Sequence, residues 1–128
     1  MFREKKKVLI IEDEKILLYA LKEQLQRENF ELIFASDGEE GLKSVLDNKP
    51  DLVLLDLVMP KKNGLEVLKE MKKNKNPEIQ NIPVIILSSL GQESEIREGL
   101  KTGAEEFLVK TEFSMQEITE KVKKLLNK

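Results

Sequence analysis

Residues 52–60 of the chain read LVLLDLVMP, a run of apolar residues interrupted by one acid, Asp56. Residues 52–55 are apolar at consecutive rather than alternate positions, which is typical of a strand buried on both faces. Further short apolar runs are spread along the rest of the chain, at 8–11, 32–35, 84–87 and 107–109. The sequence therefore predicts five strands of a parallel sheet that is covered by helices on both sides.

The segments that follow these runs change to the period of a helix. The clearest apolar stripe is the last one, made of Ile118, Val122, Leu125 and Leu126. Pairs with the spacing of helix N-caps support these starts: Asp37 with Glu40, Asn63 with Glu66, and Ser114 with Glu117. Residues 74–81 contain Pro77 and are predicted to form the longest surface loop. The order is five strand–helix units, which indicates an α/β fold with a doubly wound sheet.

Length and charge narrow the class of protein. The chain has 128 residues, 40% of them hydrophobic, and this length is typical of one domain. The formal net charge is −2 with no basic block, so we expect no direct nucleic-acid partner. No apolar run approaches the ~20 residues that cross a bilayer, and the first residues leave no room for a secretory signal. We expect a cytoplasmic protein without membrane contact, in which residues 1–128 form one domain with no output domain.

Two residue types are missing from the chain. It contains no cysteine, which excludes disulfides and thiolate metal sites, and no histidine, which excludes an imidazole for catalysis or metal binding. Any chemistry must therefore use carboxylates, hydroxyls and lysines.

Polar residues with that chemistry follow four of the five predicted strands. They are Glu12 to Glu14, Asp56, Ser88 with Ser89, and Lys110. Ligands of open parallel sheets bind beyond the carboxyl ends of the strands, so we expect these side chains to converge at one edge. A carboxylate at the rim of the core is costly to desolvate, and neighbouring acids add repulsion. A magnesium ion resolves that conflict, since it prefers hard oxygen ligands.

Such a site can perform phosphoryl transfer, which needs mainly positioning and neutralisation of charge. A carboxylate is a competent nucleophile, and the arrangement predicts that Asp56 attacks phosphorus. The metal and Lys110 would then bind the phosphoryl oxygens, and Ser88 would donate a hydrogen bond to one of them.

This ordered set of residues resembles the receiver domain of bacterial response regulators, the CheY-like family. It consists of Glu12-Asp13, Asp56 in the string Asp56-Leu57-Val58-Met59-Pro60, Asn63-Gly64, Ser88 and Lys110. The match covers essentially the whole chain. It implies a flavodoxin-like fold of five strand–helix units in the strand order 2-1-3-4-5.

The resemblance also implies roles for individual residues. Asp13 and Asp56 would bind Mg²⁺ directly, Glu12 would act largely through water, and the backbone carbonyl of Val58 would complete the protein's ligands. Ser88 and Phe107 match the family's switch pair, in which a hydroxyl moves towards the phosphate and an aromatic ring turns inward.

The implied partners are proteins. A sensor histidine kinase or a histidine phosphotransfer protein would supply the phosphoryl group. A downstream target would bind the surface made by the fourth helix, the fifth strand and the fifth helix of the five predicted strand–helix units. The chain would be a monomer or a weak phosphorylation-dependent dimer. It would catalyse its own phosphorylation and dephosphorylation without being an enzyme for another substrate.

One position departs from the family pattern. Proline usually follows the lysine, with a cis peptide between them, whereas this chain has Thr111. A cis bond before a non-proline residue costs ~3 kcal/mol, which favours trans, although the sequence leaves the isomer open.

Three other functions compete with a phosphoacceptor. Phosphatases with an aspartyl-phosphate intermediate normally have a second acid two residues after the nucleophile, and here that position is Val58. A nucleotide-binding domain would have a glycine-rich first turn, whereas this turn is the acidic run 12–14. The third alternative is an interaction module that keeps the fold but is not phosphorylated. Its signature would be the loss of the acid pair, Asp56 or Lys110, all of which are present.

Overall fold

Five parallel strands form one sheet in the structure, a computed structural model that describes residues 5–59, 61–89 and 91–127. The strands are β1 (Lys7–Ile11), β2 (Glu31–Ala35), β3 (Leu52–Asp56), β4 (Val84–Ser88) and β5 (Glu106–Val109). Their order is β2-β1-β3-β4-β5, and every neighbouring pair is parallel. The predicted fold class and strand order are confirmed, and each strand lies within one residue of its predicted bounds.

Six α-helices connect and cover the strands in the described part of the chain. They are α1 (Lys15–Arg27), α2 (Gly38–Asn48), α3 (Gly64–Lys73), α4 (Pro77–Gln80), α5 (Glu93–Thr102) and α6 (Met115–Asn127), with a 3₁₀ helix at Lys110–Glu112. Because α4 was not predicted as a helix, the predicted fourth and fifth helices are α5 and α6. No helix in the described ranges has both the length and the apolar character needed to cross a membrane.

Two of the three predicted capping pairs form complete capping boxes. Asn63 and Glu66 exchange side-chain and backbone hydrogen bonds at the start of α3, and Ser114 and Glu117 do so at the start of α6. At α2, Asp37 accepts the predicted hydrogen bond from the Glu40 N–H. The Glu40 carboxylate accepts from the Ser36 N–H instead of completing the box.

The predicted loop over 74–81 was wrong in part, because α4 lies within it. Asn76 caps this single turn with its side chain, and Pro77 occupies its first position, where a missing N–H costs nothing. Ile79 is buried in the core, and the Lys72 ammonium donates to the carbonyl oxygen at the last residue of the turn at 3.1 Å. These tertiary contacts stabilise a helix that is too short to be predicted from a periodic pattern.

The core has two layers, one on each side of the sheet. Alternate residues of β3 belong to different layers: Val53 and Leu55 pack with α2 and α3, whereas Leu52 and Leu54 pack with α1 and α6. All five residues of β3 are buried. A central strand covered on both faces explains why its sequence is continuously apolar up to Asp56.

Candidate functional site

Three carboxylates converge at the carboxyl edge of the sheet, as the sequence predicts. Glu12 and Asp13 follow β1, and Asp56 ends the neighbouring strand β3. One carboxylate oxygen from each lies within 4.8 Å of the others. Glu12 is 1% exposed and Asp56 is 5% exposed, whereas Asp13 faces solvent. The edge therefore combines two buried acids with one accessible acid.

Lys110 is the cation that faces this cluster. Its Nζ atom lies 3.0 Å from Glu14 Oε1, 3.1 Å from Glu12 Oε1 and 3.5 Å from Asp56 Oδ2. The described residues contain no cis peptide bond, so the bond between Lys110 and Thr111 is trans. The chain enters a 3₁₀ helix directly after β5, and the lysine still reaches the acids without the proline of the family pattern.

Burial dominates the electrostatics of the two inner acids. Burial and, to a smaller extent, the charge of Asp56 raise the pKa of Glu12 to about 7, against the lowering effects of the Glu14 backbone N–H and the Lys110 ammonium. Burial likewise raises the pKa of Asp56, with the Lys110 charge opposing it. Burial lowers the pKa of Lys110, but the Glu14, Asp56 and Glu12 carboxylates outweigh it and the net shift is upward. One lysine thus compensates only part of the negative charge.

The donor set fits a hard divalent cation. Carboxylate oxygens are the ligands that Mg²⁺ prefers, and clustered acids with raised pKa values gain most from a second positive charge. The Val58 backbone lies beside the cluster, since its N–H donates to Asp56 Oδ1 at 3.3 Å, while its side chain is 56% exposed. Glu12, Asp13 and Asp56 are therefore the described residues that could hold a metal.

Ser88 lies on β4, the neighbour of β3, and Phe107 lies on β5, the strand beyond β4. Ser88 ends β4, one residue beyond the partner of Asp56 in the ladder, and is fully buried. Phe107 is half-buried on β5 and packs against the core layer beneath α5. Its ring lies so close to Gly99 that a Cβ atom at Gly99 would be 3.1 Å from Phe107 Cδ2. Ser89, which the sequence also places at this strand end, is exposed.

The loop after Asp56 is held by a close backbone approach. A Cβ atom at Gly64 would lie 2.1 Å from the Asp56 carbonyl oxygen, and the Gly64 N–H donates to the Leu57 carbonyl at 2.9 Å. Gly64 therefore serves the turn that leads into α3. Pro60, expected to shape this loop, lies outside the described residues, as does Leu90 in the loop after β4.

Sequence reasoning missed the part that Glu14 plays at the site. Glu14 was grouped with the acids after β1 but given no role, and its carboxylate is the nearest partner of Lys110. The available signal was its position at the start of α1, where glutamate is not a favoured N-cap residue.

Comparisons with known proteins point to one family. The family model described as the response regulator receiver domain matches residues 8–123. The alkaline phosphatase synthesis transcriptional regulatory protein PhoP of Bacillus subtilis is 36% identical over 96% of this chain and 49% of its own length. The chain thus spans about half the length of the curated relatives it matches.

Solved structures of similar proteins cover nearly the whole chain. A Francisella response regulator receiver domain, 1452, has 33% identity and a TM-score of 0.85, with 94% of this chain and 96% of that chain covered. The phosphorylated cyanobacterial phytochrome response regulator RcpA has 30% identity and a TM-score of 0.80, with 95% and 91% covered. The family model matches most of the chain and a relative is 36% identical over 96% of it, so the chain belongs to the response regulator receiver domain family.

Proposed function

We propose that this chain is a phosphorylation-dependent signalling switch of a two-component or phosphorelay system. Asp56 accepts a phosphoryl group from a histidine of a sensor kinase or a histidine phosphotransfer protein. The observation that carries this proposal is the position of Asp56, buried at the end of the central strand with Lys110 3.5 Å away and two further acids beside it. The phosphorylated state of RcpA supports the same chemistry in a relative of known structure.

The transfer is a displacement at phosphorus. An Asp56 carboxylate oxygen forms the new O–P bond as the N–P bond to the partner's histidine breaks, and the electron pair stays on the departing imidazole nitrogen. Lys110 neutralises charge on the phosphoryl oxygens, and Ser88 donates a hydrogen bond to one of them. When bound by Glu12, Asp13, Asp56 and the Val58 carbonyl, Mg²⁺ supplies Lewis-acid charge neutralisation.

Dephosphorylation restores the starting state. Water attacks the phosphorus of the acyl phosphate, the O–P bond breaks, and inorganic phosphate leaves with the Asp56 carboxylate regenerated. The chain catalyses these steps on itself and acts on no separate substrate. The Val58 N–H donates to Asp56, and the exposed apolar side chain of this neighbouring residue limits the approach of water.

The signal passes from Ser88 to Phe107 and then to the surface of α5, β5 and α6. The close packing of the Phe107 ring against Gly99 of α5 supports this route, because a ring that turns changes its contacts with that helix. A downstream protein reads this face in the cytoplasm, and the chain is a monomer or a weak phosphorylation-dependent dimer.

The test is labelling with acetyl phosphate in the presence of Mg²⁺. We expect an intact-mass increase of one phosphoryl group that is labile to base, is absent in Asp56→Asn and disappears when the metal is chelated. Asp51→Asn is the matched control, since it makes the same change at the opposite edge of the sheet and should be labelled like the wild type. No labelling of the wild type would leave the interaction module as the better explanation, and equal labelling of Asp56→Asn would show that another residue is the phosphoacceptor.

A further inference from the structure

Glu14 is the N-cap residue of α1, but its side chain does not cap the helix. Helices α2, α3, α4 and α6 follow residues whose side chains accept a hydrogen bond from the first turn, namely Asp37, Asn63, Asn76 and Ser114, whereas Gln92 before α5 accepts none. The Glu14 side chain makes no such bond, although its backbone is extended as at an N-cap. Since Asp, Asn, Ser and Thr are favoured at this position, helix capping does not explain a glutamate here.

The Glu14 carboxylate instead reaches across the site to Lys110. The distance between Glu14 Oε1 and Lys110 Nζ is 3.0 Å, and the two residues lie 96 positions apart in the chain. The Glu14 side chain is 64% exposed and the Lys110 side chain is 14% exposed. An exposed carboxylate at the rim of the site is thus paired with a largely buried ammonium group.

Lys110 must change partners when a phosphoryl group arrives. Its ammonium has three hydrogens, and in this structure Glu12, Glu14 and Asp56 surround it. Releasing a buried carboxylate leaves an uncompensated charge, whereas an exposed carboxylate exchanges the lysine for water at little cost. Glu14 is therefore the partner that yields most easily to a phosphoryl oxygen.

We propose that Glu14 is a positioning residue that holds Lys110 at the α1 side of the site until the phosphoryl group displaces it. This inference rests on the proposed function of Asp56. The Glu14 charge also repels an anionic phosphodonor at the mouth of the site. Removing it should speed phosphorylation by small donors about threefold, as expected for one charge several ångströms away in a largely aqueous setting.

The first experiment compares Glu14→Gln with Glu23→Gln, which removes one charge from an exposed glutamate of the same helix. Rates are measured with acetyl phosphate, and again with phosphoramidate, which carries less negative charge. Glu14→Gln should raise the second-order rate constant for acetyl phosphate about threefold and the one for phosphoramidate less. Glu23→Gln should change neither. A merely structural role of Glu14 would alter both donors alike, and that result, or unchanged rates, would overturn the inference.

The second experiment observes Lys110 in the metal-free protein by ¹⁵N NMR of lysine ammonium groups. We expect the Lys110 signal, assigned with Lys110→Arg, to shift or broaden in Glu14→Gln and to stay unchanged in Glu23→Gln. A signal that is insensitive to Glu14 would contradict the proposed contact even if the wild type is phosphorylated. Failure of wild-type labelling would count against the function of Asp56 instead, so the two failures are distinguishable.

Discussion

The acidic side chains at the two edges of the sheet lie in different surroundings. At the amino edge, Asp51 Oδ2 accepts a 2.7 Å hydrogen bond from the Lys7 backbone N–H, and the Asp51 N–H donates back to the Lys7 carbonyl at 2.8 Å. At the carboxyl edge, Glu12 and Asp56 are buried side by side with raised pKa values and share Lys110.

This difference indicates that the acid at the amino edge has a structural role and that the acids at the carboxyl edge serve the chemistry of the site. The acid at the amino edge is paired with a backbone donor that every strand provides, so it contributes to folding. The acids at the carboxyl edge are held near one another against their repulsion, and perturbed carboxylates of that kind cluster at functional sites. The comparison predicts that changes at the carboxyl edge mainly affect chemistry and ion binding, whereas changes at the amino edge affect stability alone.

The largest expected effect is that of Lys110→Met, which keeps the apolar stem and removes the charge. The rate of phosphorylation by acetyl phosphate should fall about 10²–10³-fold, as when one electrostatic stabiliser of a transition state is lost. The readout is the initial rate of intact-mass labelling with saturating Mg²⁺. Lys123→Met removes a lysine paired with Glu28 on the helix layer and should keep the wild-type rate. A Lys110→Met rate within a few-fold of the wild type would show that the ion pair between Lys110 and Asp56 does not contribute to catalysis.

The location of Lys110 was predictable, but its partners were not. Strand ends in a parallel sheet converge by topology, so the sequence alone brings Glu12, Asp56 and Lys110 to one edge. The ion pair with Glu14 depends on the path of two side chains from elements 96 residues apart, which no local pattern encodes. The same limit applies to α4, whose single turn depends on the burial of Ile79.

The second prediction concerns pH in the metal-free protein. The Glu12 pKa is raised from 4.5 to about 7, so the folded state holds this proton more tightly than the unfolded state. The resulting stabilisation is present below about pH 4.5 and is lost as the pH rises through about 7. Its size is on the order of 3 kcal/mol between these limits.

Urea unfolding at several pH values measures this contribution in Glu12→Gln against the wild type. Glutamine cannot ionise, so the free energy of unfolding of Glu12→Gln should increase relative to that of the wild type as the pH rises from about 5 to about 8. A difference that is independent of pH would mean that Glu12 is not desolvated in the folded protein.

The third prediction concerns the metal itself. An ion that binds only the folded state at ten times its dissociation constant stabilises by about 1.4 kcal/mol. Mg²⁺ should therefore raise the unfolding midpoint of the wild type, and the increase should be lost in Asp13→Asn, whose exposed side chain can be changed without disturbing the core. Asp47→Asn, on the outer face of α2, should keep the full increase. Equal stabilisation of Asp13→Asn and the wild type would exclude Asp13 as a ligand.

The smallest effect is expected at the amino edge. Asp51→Ala removes the acceptor of the Lys7 N–H, and the lost hydrogen bond should lower the free energy of unfolding by about 1 kcal/mol. Asp47→Ala removes only an exposed pair with Lys43 and should change it by less than about 0.5 kcal/mol. The rate of labelling by acetyl phosphate should be unchanged in both. Slower labelling of Asp51→Ala in fully folded protein would show that the two edges are coupled through β3, and the division of the acids into structural and chemical groups would then fail.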